Sequence, residues 1–386
     1  MTQNQQRSTI KTHSTLAQIS KFEVQNGVTE YQVMIHALLP EQTFDEQLDA
    51  VLSTYYHLLE TELKGASSVI KRYFVSDAAN QYDPLLAAVP EAPACACSVV
   101  EQPPLNGTKI ALWAYLQTDI GTATFYNGLY KVQHGAYTHL WGASAISDAP
   151  NSEAQTSGLL KGYALQLMSN GAKLANDCIR TWFFVQNVDV NYAGVVKARN
   201  EEFRTHNLTP KTHFIASTGI NGRHADPTVL VQLDTYAVVG LNTQEQVKHL
   251  YAPTHLNPTY EYGVSFERGT RVDYGDRRQV FISGTASIDN KGQVVHPGNI
   301  RLQTERMWEN VEALLAEAEC SFNDVGQMIV YLRDMADYAV VHQMFEARFP
   351  DLPKVIVLAP VCRPGWLIEM ECMATKAISR TDLPNY

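Results

Sequence analysis

The sequence predicts an α/β (α+β) protein built from tandem copies of one small unit. Strand and helix patterns alternate along most of the chain, the same order of elements recurs, and matched residues return at matched offsets within each copy. With 386 residues, 45% of them hydrophobic, the chain has material for two or three modest cores.

The first fifteen residues, MTQNQQRSTIKTHST, are polar and lack the apolar stretch of a signal peptide, so residues 1–20 read as a flexible, non-targeting tail. Residues 21–125 read as a degenerate first unit. Phe44, Leu48, Val51, Leu52, Tyr55 and Leu59 give a helical stripe, residues 68–75 a strand and residues 109–113 a closing strand. Between them, the prolines of residues 88–104 predict irregular chain in place of a second helix.

The second unit, residues 126–250, and the third, residues 251–386, match more closely. Residues 141–147 (WGASAIS) and 283–289 (SGTASID) each read as a strand in which a Gly is followed four residues later by Ile. A helical stripe follows in both, at Leu159, Leu160, Tyr163 and Leu167, and at Met307, Val311, Leu314 and Leu315. Buried strands come next (TWFFV, 181–185; MIVYL, 328–332). Second helices then carry Tyr192, Val195 and Phe203 in one copy and Tyr338, Val341 and Phe349 in the other, with identical spacing. Closing strands at 229–233 and 366–370 complete a β-α-β-α-β order. Aligning the three closing strands puts Ala111, Gln232 and Glu369 at equivalent places, and of these only Glu369 can donate a proton.

Composition excludes several functions. No stretch approaches the roughly eighteen apolar residues of a membrane span, so a cytoplasmic protein with no membrane partner is expected. Six cysteines are too few for a disulfide framework in this length, and the one close pair, Cys95 and Cys97, is not the C-x-x-C of zinc or redox sites. A net charge of −10 without a lysine/arginine cluster argues against a nucleic-acid partner. The twelve histidines form no metal-ligand spacing, and neither a phosphate loop nor a dinucleotide fingerprint is present, so no metal and no cofactor are expected.

Three C-terminal motifs, Ile282-Ser283-Gly284, VYLRD at 330–334 and IEMECMA at 368–374, resemble those of the RidA/YjgF superfamily. Ordinary members are single-unit chains that assemble as trimers with clefts between neighbours. The resemblance therefore implies a pseudo-trimer of chorismate-mutase-like units within one chain, with mixed sheets and helices packed on one face, as a monomer or small homo-oligomer. Further segments, Gln102-Pro103-Pro104, ASTGINGR at 216–223, FERGTR at 266–271 and VCRPGWLIE at 361–369, resemble the chorismatase branch, with Asn221 standing where its pattern has glycine.

That resemblance implies a small dicarboxylate substrate, chorismate, converted to pyruvate and a hydroxybenzoate. Protonating the enol ether needs a carboxyl group that burial keeps protonated, and Glu369, among Trp366, Ile368, Met370 and Met373, suits it. Cys362 is the second catalytic candidate, and it reads equally as a small buried hydrophobe. Two substrate carboxylates call for guanidinium forks. Arg268 and Arg333 are the foremost candidates, followed by Arg271, Arg223 and Arg363, with Ser217, Gly219 and Gly284 as polar or backbone contacts and Tyr236 as a wall. Two alternatives stay open: an enamine or imine deaminase, against which Lys354 counts because it stands where that motif carries arginine, and a non-enzymatic ligand- or RNA-binding protein.

Overall fold

A computed structural model describes residues 5–89, 95–121 and 123–386. The first unit comprises β1 (Gln5–Lys11), β2 (Thr15–Phe22), β3 (Glu30–Ala37), α1 (Phe44–Glu60), β4 (Ala66–Val75), α2 (Ala78–Ala88), β5 (Ala96–Glu101) and β6 (Ile110–Thr118). The second comprises β7 (Thr124–Tyr126), β8 (Leu129–His134), β9 (Tyr137–Ala145), α3 (Ser152–Ser169), α4 (Leu174–Asp177), β10 (Cys178–Val185), α5 (Val188–Thr205), β11 (Ala216–Asn221) and β12 (Val231–Val239). The third comprises α6 (Thr243–Gln246), β13 (Val247–Leu250), β14 (Gly269–Asp273), β15 (Arg277–Ala286), α7 (Ile300–Glu317), β16 (Val325–Leu332), α8 (Tyr338–Arg348), β17 (Lys354–Leu358) and β18 (Ile368–Ala377).

Each unit is a six-stranded mixed sheet of one topology, β1-β2-β3-β6-β4-β5, β7-β8-β9-β12-β10-β11 and β13-β14-β15-β18-β16-β17. The parallel pairs β4/β5, β10/β11 and β16/β17 need crossovers, which α2, α5 and α8 supply. Local chemistry sets the helix starts. Thr43 and Glu46 form a capping box on α1, and Asn151 and Asn299 cap α3 and α7 through their side-chain oxygens.

Several expectations are corrected. From Gln5 onward the predicted tail is strand, β1 pairing along its length with β2. The first unit has its second helix, because α2 forms ahead of most of the prolines, with only Pro84 inside it. Within residues 88–104 the chain forms β5 at the sheet edge, while residues 90–94 lie outside the described residues. The repeat alignment of Gly142 with Gly284 slips by two. Ala145 pairs with Leu233 as Thr285 pairs with Met370, which puts Ser144 at Gly284's place.

The closing-strand equivalence has a counterpart in register: Ala111, Gln232 and Glu369 lie opposite Phe74, Phe184 and Tyr331 respectively. The sheets face one another around a shared core and carry helices on their other faces. Tyr115, Trp141, Tyr236 and Phe281 form a chain of ring contacts through all three units. Buried ion pairs cross every interface: Arg72 with Asp234 at 2.9 Å, Arg180 with Glu371 at 2.8 Å and Arg277 with Glu30 at 2.7 Å, with Arg72 also 3.9 Å from Glu371. Such pairs add little net stability but penalise every arrangement that leaves one charge unpaired, which suits them to fixing how the units dock.

Candidate active site

Strand β18 carries Glu369 to the interface between the second and third units. Its neighbours in register are Ala286 on β15 and Tyr331 on β16, while β11 of the second unit closes the cleft from across the interface. Glu369 is 5% exposed, and among the described residues no side chain hydrogen-bonds its carboxyl. Burial, and next the charge of Glu371, push its pKa up to about 8, against the pull of Arg180 and Arg268.

Glu371, two residues along, is satisfied where Glu369 is not. It takes Arg180 Nη2, Trp182 Nε1 at 2.7 Å and the hydroxyl of Thr218. Thr218 Oγ1 in turn accepts the Gly284 N–H at 2.9 Å. This node holds β15, β18 and β11 together behind the acid. Gly284 is glycine for reasons of space, since a Cβ there would fall on the Glu369 carboxylate.

The pocket in front of Glu369 has an open volume of about 30 Å³. Arg268, 4% exposed, donates Nη2 to Asn257 O at 3.0 Å and lies over the rings of Tyr262 and Phe266, while its Nε has no partner. Arg199, 1% exposed on α5, faces Phe183 and Phe266, and both its Nε and Nη2 are unpartnered. Buried guanidinium donors left unmade are costly, so two of them on one small cavity mark a place built for an anion. Arg363 closes the rim between Tyr262 and Trp366. Cys362 is half-buried in the wall, and burial and the nearby Glu369 charge push its thiol up to about 12, so it is a neutral thiol at ordinary pH.

Of the residues predicted from sequence, the pocket gathers Glu369, Cys362, Arg268, Arg363, Ser217, Gly219 and Gly284. Four others lie elsewhere. Arg333 binds Val361 O at 2.7 Å and Asp189 on α5, bracing the second unit against the third. Arg271, on β14, is taken up by Asp273 and Glu319. Arg223 sits at the junction with the first unit, 3.7 Å from Glu101. Tyr236 is core, stacked 3.9 Å from Trp141 with its hydroxyl on His139. Asn221, the departure from the family pattern, accepts the Val188 N–H at the start of α5.

Sequence reasoning missed Arg199 and Tyr262. Arg199 was detectable: it lies seven residues after Tyr192 on the stripe that α5 buries, where an arginine calls for a reason.

The Endoribonuclease L-PSP family model matches residues 271–376. A RutC family protein of Pyrococcus abyssi is 36% identical over 99 residues, covering 25% of this chain and 78% of its own. The 3-aminoacrylate deaminase RutC of Acinetobacter baylyi is 32% identical over 97 residues, covering 25% of this chain and 77% of its own. Among solved structures, a chorismatase matches with a TM-score of 0.64 and 18% identity over 80% of this chain and 93% of its own, a likeness of fold. Among the described residues no helix is long and apolar enough to cross a membrane.

Proposed function

This chain belongs to the RutC family, the RidA/YjgF-type proteins, and from that premise we propose that it is a chorismatase-like enzyme that splits chorismate into pyruvate and a hydroxybenzoate. The observation that carries this reading is a carboxyl group kept protonated to about pH 8 beside two buried guanidiniums with unused donors. A protonated Glu369 forms a C–H bond at the terminal methylene of the enolpyruvyl group, leaving an oxocarbenium ion at the ether carbon. The ring hydroxyl gives up its proton and adds to that carbon, the ring C–O bond of the former ether breaks, and collapse of the adduct releases pyruvate; where water adds instead, pyruvate leaves with a dihydrodiol that becomes the hydroxybenzoate only by losing that water. Loss of one ring proton restores aromaticity and reprotonates the acid, so the hydroxybenzoate and pyruvate together account for every atom of chorismate. Arg268 and Arg199 bind the carboxylates and hold the enol ether against the acid, while the apolar wall excludes water from the cation.

The test is direct: the purified protein is mixed with chorismate, and pyruvate is followed with lactate dehydrogenase. Release that Glu369→Gln abolishes supports the reading. A protein that releases no pyruvate sinks it.

One observation favours a second reading. One relative is named 3-aminoacrylate deaminase, the Endoribonuclease L-PSP model covers the segment that carries Glu369, and the same acid is suited to protonating an enamine carbon. Ammonia release from a 2-aminoacrylate-type enamine, with chorismate untouched, selects that activity. Two guanidiniums favour the dicarboxylate.

A further inference from the structure

The pocket in front of Glu369 is closed too tightly to admit a ring with two carboxylates. Its open volume of about 30 Å³ takes a water molecule or two, whereas ligand pockets run from roughly 300 Å³ upward. One wall has to move. Strands β11, β15 and β18 and helix α5 are fixed, and the loop that carries Cys362 is tied at both ends, by Arg333 on Val361 O and by Gln303 on Gly365 O. The remaining wall is residues 258–266, a turn of 3-10 helix at Thr259–Tyr262 followed by Gly263 at φ +84, and it places Tyr262, Val264 and Phe266 on the pocket.

That segment hangs on side chains. Among the described residues, all backbone–backbone hydrogen bonds of residues 258–266 close within the segment itself. The chain on either side is pinned. Glu317 Oε2 accepts the N–H groups of Tyr251 and Ala252 at 2.9 and 2.6 Å, while the Glu267 N–H donates to Ile215 O at 3.0 Å and its side chain accepts the Phe214 N–H at 2.7 Å. A cleft of about 180 Å³ between Gly263–Ser265 and the end of α5 leaves room to swing. What holds the segment down is Asn200 on α5, one residue after Arg199: Nδ2 donates to Gly263 O at 2.9 Å and Oδ1 accepts from Ser265 Oγ at 2.6 Å. A weaker tie runs from Arg363 Nη2 to Tyr262 O at 3.4 Å. A segment so held opens locally at far less cost than global unfolding.

We propose that residues 258–266 are a lid over the Glu369 pocket, that Asn200 is its latch, and that closure selects the product by selecting what meets the oxocarbenium ion. The selection rests on the reading of Glu369 as the acid for an enol ether. Under a closed lid the ring hydroxyl is the nucleophile within reach, and chorismate leaves as pyruvate and a hydroxybenzoate. Under an open lid bulk water adds to the same carbon, and chorismate plus water leaves as pyruvate and a dihydrodiol. Asn200 does not line the pocket, so it is a positioning residue.

Amide hydrogen exchange, read by mass spectrometry on the full chain without ligand, tests the latch. Residues 259–266 should exchange faster than β15 in the parent protein. Asn200→Ala, which removes both bonds, should speed them about tenfold or more, and Ser265→Ala, which removes one, by less, with β15 unchanged in both. Turnover of chorismate, resolved by chromatography, tests the consequence: hydroxybenzoate from the parent protein, and a dihydrodiol share at least severalfold larger from Asn200→Ala. Exchange in residues 259–266 that is as slow as in β15, or that Asn200→Ala leaves unchanged, overturns the lid. A parent product that is mainly dihydrodiol, or an unchanged product ratio in Asn200→Ala, overturns its selection of product. If no pyruvate is released the chorismate reading falls, and the exchange rates alone decide the latch.

Discussion

Glu369 and Glu371 lie on the same face of β18, and the fold gives them opposite surroundings: a cation, an indole N–H and a hydroxyl for Glu371, an apolar pocket for Glu369. The fixed negative charge of Glu371 adds to burial in keeping the proton on Glu369. A carboxyl raised in this way by burial and a charged neighbour is the candidate acid of the pocket. Pyruvate release from chorismate is therefore expected to hold steady through neutral pH and to fall as pH rises through about 8, tenfold per unit beyond it. Initial rates across pH 5–10 check this, and Glu369→Gln should lower kcat by about 10²–10⁴.

The same shift makes a prediction about stability. A carboxyl whose pKa rises from the ordinary 4.5 to about 8 on folding binds its proton more tightly in the folded state. Its contribution is fully present below pH 4.5 and is lost as pH climbs through 8, because above that the folded state must bury a charge. Glu369→Gln carries no charge at any pH. Its melting temperature should therefore gain on the parent protein's between pH 6 and pH 9, by an amount equivalent to roughly 2–3 kcal/mol. Parallel melting curves that do not diverge with pH would contradict the burial of an ionisable group here.

Arg199 and Arg268 have unused donors in the same pocket but come from different units, α5 of the second and the loop before β14 of the third. If each receives one carboxylate of a dicarboxylate substrate, Arg268→Met and Arg199→Met should each raise KM by about tenfold to a hundredfold. Removing a guanidinium that is buried without full pairing should cost little stability. Steady-state kinetics and melting curves on the same samples separate the two effects.

The sequence showed the repeat and the acid because both are local: a helical stripe, a buried strand and one Glu among three equivalent positions can be read from neighbouring residues. It did not show which arginines matter. Arg333 lies within a strong motif near Glu369, yet the end of β16 points it at Asp189 across the interface. Arg199, in the middle of a helix of another unit, is brought in by docking. The hairpins that open each sheet were missed for a related reason, since β1 and β2 are polar on the face that alternation would mark as solvent. A cleft between the first and third units joins residues 9–38 and 104–106 to residues 338–356, a juxtaposition no local pattern encodes.

Gly284 tests how tightly the acid is held. Its backbone N–H is bound to Thr218, which is bound to Glu371, so β15 cannot retreat from β18 without breaking that node. A methyl group added at Gly284 would meet the Glu369 carboxylate before anything else, with Cδ 2.9 Å and Thr218 Cγ2 3.1 Å away. The side chain that can move is Glu369, towards the pocket. Gly284→Ala should cost about 1–3 kcal/mol as an overpacked site. It should lower kcat by about a hundredfold or more, because an acid misplaced by an ångström no longer reaches the carbon it protonates. Gly219→Ala is the control: its methyl meets the Tyr192 ring and not the acid, so it should act mainly on KM. A Gly284→Ala enzyme with full kcat would mean that the carboxyl does not act from the position the structure gives it.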